Sequence, residues 1–349
     1  MKHVVVIGAG VAGKSLAVAL SHYPNLQTTI FDAALGQQED LRIAPNVSTS
    51  AASVHVAPHV QFVHGKVKGI DVVQKQVVTD TKTVPYDFAV VATGAEFRVS
   101  DEHFAPGAPL YSPWRMHGRV QIRQAVHSAL ALAAQGLAPC ATVCVVGGGR
   151  VGVATAGHVY DFWKSTEFAH TKLEIILVEQ QSRLVPALPA EAARILESAL
   201  HSLGVQVVCN TAITAVSKSG VCGGVSGTVA RADVCVWAGA HTPVGVPLFG
   251  QDKVKALPFT GGVNMQFQLR PYDTVFALGD AARVPVVHRG PTAAEIFSEA
   301  QYLSTVIASF AQNRVPPTRQ IRPSAESIYV GAGWEVLVDG GRVLKRKQK

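Results

Sequence analysis

A chain of 349 residues with 48% apolar and only 16% charged residues has material for two or three domains with full cores, which excludes an intrinsically disordered protein. The formal net charge of +7 suits an anionic partner. No Lys/Arg cluster is interleaved with aromatic residues, so nucleic acid is excluded and phosphorylated cofactors or an acidic membrane surface remain.

Residues 1–20 place one lysine ahead of an apolar stretch, as a signal peptide does, but Gly8, Gly10 and Gly13 break the stretch into a strand, a turn and a helix. Residues 2–7 are β-branched without alternation, as in a strand buried on both faces, and 11–22 carry apolar residues at helical spacing. A second strand over 28–31 ends at Asp32, which completes a βαβ opening. Residues 60–71 and 72–79 predict antiparallel strands, and 84–91 predicts a strand running into Ala92-Thr93-Gly94. The Pro- and Gly-rich residues 106–113 read as a crossing between domains.

After a helix over 119–134 the opening pattern recurs, with a strand over 142–146, a turn over 147–152, a helix over 153–163 and a strand over 173–178 ending at Glu179. A helix over 190–203 is capped by Gly204 and leads to a strand over 205–209 and a short β region ending at 234–237. A second crossing falls near 242–248, followed by a strand over 274–278, a long helix over 292–310 and a small β-rich region over 327–338. The basic residues 345–349 read as a solvated tail. One βαβ unit nested inside another predicts a chain that leaves a domain and returns to it.

No apolar run is long enough to span a bilayer, so the expectation is at most peripheral membrane association, without a signal peptide or transmembrane helix. The five cysteines, at 140, 144, 209, 222 and 235, form no C-x-x-C pair, which argues against a disulfide scaffold and against a zinc site. Cys144 and Cys235 lie in apolar runs and read as small core residues. A reducing compartment follows: the cytoplasm, or another such as the mitochondrion.

Three motifs carry chemistry. Gly8-Ala9-Gly10-Val11-Ala12-Gly13 fits G-x-G-x-x-G between a strand and a helix. The first glycine permits the turn, the second lets a pyrophosphate approach the backbone, and the third lets helix and strand pack closely. Asp32, nineteen residues past Gly13, is placed to accept a ribose hydroxyl. The stretch 8–15 also fits G-x-x-x-x-G-K-[ST], in which Lys14 would reach outer phosphates and Ser15 a magnesium ion; that reading needs a further acid, for which only Asp32 is near. Gly147-Gly148-Gly149-Arg150-Val151-Gly152 repeats the first motif, with Glu179 placed to favour NADH over NADPH and Arg183 either softening that choice or facing solvent. Residues 274–280 end a buried strand in Gly279-Asp280, where an acid can bind a polyol, and Gly290-Pro291-Thr292 opens a helix whose dipole suits an electron-rich ring.

With these motifs in order, residues 4–310 resemble the flavoproteins with two dinucleotide-binding domains, in particular the apoptosis-inducing-factor-like and type II NADH:quinone oxidoreductase branches. The resemblance implies an α/β fold of two Rossmann-like domains, the NAD(P) domain inserted into the FAD domain. Residues 1–110 and 245–318 would bind FAD, 111–244 the nicotinamide dinucleotide, and 319–349 would form a small C-terminal segment.

It implies FAD contacts at Gly8, Gly10, Val11, Ala12, Gly13, Asp32, Arg42, Val67, Thr93, Gly94 and Asp280, and NADH contacts, with NADPH as the alternative, at Gly147, Gly149, Gly152, Glu179 and Gly239. No protein nucleophile, general base or metal is required, because the cofactors carry the chemistry. No Cys pair follows Asp32, so electrons would leave directly to a quinone, a small redox protein or oxygen.

Two departures stand out. Relatives place Glu in the helix after the second loop, where this chain has Ala154 and His158, which keeps a low-turnover binding module in view. Quinone-reducing relatives carry Ala-Gln after the Gly-Asp segment, where this chain has Ala294-Glu295 with Glu299 one turn on; these acids either shape an acceptor site or lie on a solvated helix face.

Overall fold

The computed structural model describes residues 1–33, 58–96, 104–113, 118–239, 242–250, 262–282, 293–319 and 325–347. Among the described residues the α-helices are α1 (Val11–Leu20), α2 (Gly118–Ala134), α3 (Arg150–Ser165), α4 (Ala190–Ser202) and α5 (Ala293–Ala311). The chain divides into two compact units, Met1–Ala95 with Pro243–Arg322, and Glu96–Thr242 with Pro323–Lys349.

The first unit is built on a five-stranded sheet in the order Val275–Ala277, Phe88–Val91, Lys2–Ile7, Leu26–Asp32, Val60–His64. Every pairing in it is parallel. Its central strand is apolar on both faces, and Val4, Val5 and Val6 are fully buried, as strands covered on both sides must be. Residues 60–64 depart from the expectation: instead of continuing as an antiparallel strand to 71, they join the parallel sheet as its edge, and the strand is interrupted at Gly65-Lys66. The strand Val67–Asp71 then starts a separate antiparallel ladder with Gln76–Thr79 and Thr83–Pro85.

The second unit repeats the plan in the order Val205–Val208, Leu173–Val178, Ala141–Val146, Val234–Trp237, Leu110–Tyr111, again parallel throughout. Residues 110–111, inside the predicted crossing, thus belong to this sheet. One sheet face packs on helices and buries Val143 and Val145, while the other, with Cys144 and Val146, is covered by the three-stranded sheet over 213–231.

The terminal segment is a three-stranded antiparallel sheet, Glu326–Gly331, Trp334–Asp339 and Arg342–Lys347. It is packed into the second unit: Ile328, Val330, Val336 and Val338 are buried in the same cluster as α3 and α4. Residues 345–347 of the basic tail are exposed, as expected, but they end the last strand of this sheet, Arg342–Lys347, with Lys345 and Lys347 over Trp334 at 4.9 and 5.5 Å; residues 348–349 lie outside the described residues. Among the described residues, no helix is long and apolar enough to cross a membrane.

Candidate functional site

Both glycine loops sit at the carboxyl end of a central parallel strand, where an open α/β sheet leaves its crevice. The two are near copies. Gly8 and Gly147 share φ +105°, which a side chain tolerates poorly, and their amides donate to Phe31 O and Val178 O, both at 2.8 Å. A Cβ on Gly13 would lie 1.9 Å from Gly8 O, and one on Gly152 would lie 1.7 Å from Gly147 O, so helix and strand meet where only hydrogen fits.

The middle glycines differ in kind. A Cβ on Gly10 or on Gly149 would meet nothing within 4 Å. Space is open there, at the N-caps of α1 and α3, which have no side-chain cap and no acid in the first turn. Uncapped N–H groups at a positive helix end beside an open backbone suit a pyrophosphate. The residues present therefore fit a dinucleotide in each unit.

In the first unit the fold brings Asp32, Thr93 and Gly279-Asp280 to this loop. Val11 and Ala12 open α1, and a Cβ on Gly279 would lie 2.8 Å from the Ala12 Cβ, which sets Gly279-Asp280 beside the cradle. Thr93 Oγ1 donates to Val244 O at 2.5 Å and Val244 N donates to Gly94 O at 2.9 Å, pinning that turn past the strand Phe88–Val91. Val67 starts the strand that follows His64, the register partner of Asp32. The Asp32 carboxylate accepts the Ala9 amide at 2.6 Å and so fixes the loop it also borders. Arg42 and Gly290-Pro291-Thr292 lie outside the described residues.

In the second unit Gly147, Gly149, Glu179 and Gly239 line one cavity of about 430 Å³, with Gln181, Thr211 and Trp237, a volume within the range of small-molecule sites. Gly152 sits beneath it, closing α3 onto Gly147 O. Buried Glu179 accepts the Gly148 amide at 2.6 Å and the Gln181 amide at 2.7 Å. Gln180, Gln181 and Thr211 in this lining were not singled out from the sequence, because nothing in their spacing marks them. Arg183 does not face solvent freely: its guanidinium donates to Leu188 O and Pro186 O, each at 2.8 Å, and braces the loop.

The alternatives left open by the letters are decided by geometry. Ser15 is buried and donates to Val11 O at 2.7 Å inside α1, so it is not displayed to a magnesium ion. Glu299 is not on a solvated face: it is buried and paired with Arg319 at 2.8 Å. Burial pushes its carboxyl above the ordinary range, with Arg319 opposing that rise.

Two phosphate cradles on two parallel sheets, in one chain, define an oxidoreductase that binds FAD and a nicotinamide dinucleotide. The chain belongs to the pyridine nucleotide-disulphide oxidoreductase family, whose sequence model matches residues 2–302. It is 27% identical over 355 residues to the type II NADH:quinone oxidoreductase Ndh of Mycobacterium tuberculosis, across 91% of this chain and 74% of that protein. It is 26% identical over 304 residues to the nitric oxide reductase FlRd-NAD(+) reductase of Vibrio vulnificus, across 80% of this chain and 72% of that one. NDH2 of Plasmodium falciparum, solved in complex with NADH, shares the fold with a TM-score of 0.73 at 14% identity, over 99% of this chain and 91% of that one.

Proposed function

We propose that the protein oxidises NADH and passes the electrons to a quinone-like acceptor, without a redox disulfide. The observation that carries this reading is the doubled cradle, with the first loop serving FAD and the second NADH. Bound together, the two cofactors supply hydride transfer and the onward release of electrons.

The chain's own task is to bind, orient and polarise. The open backbone at Gly10 and Gly149 takes a pyrophosphate in each unit, and the uncapped N-termini of α1 and α3 offset its charge. Asp280, beside the first cradle, accepts hydroxyls of the ribityl chain. Glu179, which lines the second cavity, accepts adenosine ribose hydroxyls and repels a 2′-phosphate, which favours NADH.

Direct exit of electrons is supported by where the sulfur lies. All five cysteines fall between residues 140 and 235, in the second unit, so the first unit carries no thiol to relay electrons. The quinone acceptor is supported by the Mycobacterium tuberculosis relative. A second reading, reduction of a small redox protein, is favoured by the Vibrio vulnificus relative and by the net charge of +7.

Anaerobic mixing with NADH tests the proposal. The purified protein should be yellow, bleach near ~450 nm on mixing and recolour with a quinone. A colourless protein that gains no such band on reconstitution with FAD would falsify it.

A further inference from the structure

The described cysteines are not scattered. Cys144 and Cys235 are register partners on adjacent parallel strands, pointing from the same face of the second sheet. Cys222 comes down onto that face from the three-stranded sheet that covers it. All three are fully buried, their sulfurs lie within 4.8 Å of one another, and Cys222 and Cys235 share an S–H···S contact at 3.8 Å. The remaining two, Cys140 and Cys209, are half-buried.

We propose that Cys144, Cys222 and Cys235 form a three-coordinate site for a soft cation, with Cu(I) as its defining ligand. Metal–thiolate bonds of about 2.3 Å in a trigonal plane place sulfurs about 4 Å apart, so these side chains need contract by less than about 1 Å. The walls are Val146, Val178, Ile213, Val216, Ala230 and Ala232, which offer no oxygen or nitrogen side-chain ligand.

Among the described residues no fourth His, Cys, Asp or Glu joins the group. Zinc takes four ligands and is poorly served there, whereas Cu(I) prefers few and soft ones. Each sulfur binds as a thiolate, so Cu(I) entry releases the protons that the three thiols carry.

The site lies below the dinucleotide cavity, since Val146, Val178 and Ile213 contribute to both. It is independent of the electron acceptor.

The test uses the full chain, isolated under reducing, anaerobic conditions from cells grown with added copper, and also isolated metal-free and titrated with Cu(I) against bathocuproine. One copper per chain is expected, with three sulfur neighbours at about 2.3 Å in X-ray absorption and a raised thermal midpoint. Zn(II) should not bind in the same titration. Cys222→Ser should weaken Cu(I) binding by more than the ~10–100-fold typical of outer-shell changes, while Cys140→Ser and Cys209→Ser leave it unchanged. If Cys222→Ser does not fold, the wild-type sulfur count and midpoint decide. A chain from copper-fed cells without copper, two sulfur neighbours, or binding abolished by Cys140→Ser or Cys209→Ser overturns the proposal.

Discussion

At the scale of single residues, the three glycines of each loop have different jobs, and substitution separates them. In Gly152→Ala the new methyl would overlap Gly147 O, a backbone atom that cannot step aside. The expected cost is on the order of 3 kcal/mol or more, read as a large drop in the denaturation midpoint. Gly149→Ala meets open space and keeps an extended backbone (φ −70°, ψ −179°) that alanine adopts freely. Stability should fall by about 1 kcal/mol or less, while the methyl occupies the approach of the pyrophosphate and weakens NADH by about tenfold or more, equivalent to ~1.4 kcal/mol. Equal losses of stability in the two variants would show that the middle glycine is structural. These roles were legible in the sequence because a glycine spacing of two and three is a local property of one turn. The double duty of Asp32 and Glu179 was not: each carboxylate accepts a loop amide at 2.6 Å across more than twenty residues of chain.

At the scale of elements, helix α3 has two faces with separate partners. Its exposed departure from the family pattern, His158, stacks on Tyr329 of the terminal sheet at 4.7 Å. One turn on, Asp161 accepts the Tyr329 hydroxyl and, at 2.7 Å, the Ala332 amide. A Cβ on Gly157 would lie 2.4 Å from the Val330 carbonyl carbon, so strand and helix touch through backbone. Residues 157, 158 and 161 thus form a docking stripe at helical spacing, and His158 serves the terminal sheet in this structure.

Two predictions follow from that geometry. Gly157→Ala should lower stability by on the order of 3 kcal/mol and increase hydrogen exchange across 326–347. For His158, desolvation and then the charges of Arg119 and Arg123 hold the imidazole below its ordinary 6.5, against the pull of Asp161. A depressed folded value means the unfolded chain takes up the proton first, so this contribution is full above pH 6.5 and is lost as pH falls through the folded value. The side chain keeps contact with solvent, so the effect is small: a midpoint lowered by about 1–2 °C between pH 7.5 and 5.5, and flattened in His158→Phe, which keeps the stack. An unchanged slope in that variant would remove His158 from the account. The terminal strands themselves could be predicted from residue type, but their partner could not, because the contacts join residues about 170 positions apart, as Asp161 and Tyr329 are. The cysteine cluster was hidden for the same reason, since pairing of parallel strands, not spacing, sets Cys144 against Cys235.

At the scale of the whole molecule, a nested repeat explains the membership of the family. The two sheets place equivalent loops at equivalent strand ends, so a chain with one cradle for each cofactor arises from one βαβ plan used twice. The nesting could be read from recurring patterns, since each pattern is local and the second lies between two halves of the first. The acceptor could not, because it depends on surface and charge distribution, which the order of motifs does not encode. The net charge of +7 offers the discriminating measurement. A neutral quinone gains nothing from electrostatic steering, so its kcat/KM should change by less than about twofold between ~0.02 and ~0.5 M salt. An acidic redox protein would be steered, and its kcat/KM should fall by about tenfold or more over the same range. Flat quinone kinetics together with negligible turnover of ferredoxin- or rubredoxin-type acceptors support quinone reduction. A steep salt dependence with such a protein, at rates above those of any quinone, would transfer the assignment to the protein acceptor while leaving both cradles in place.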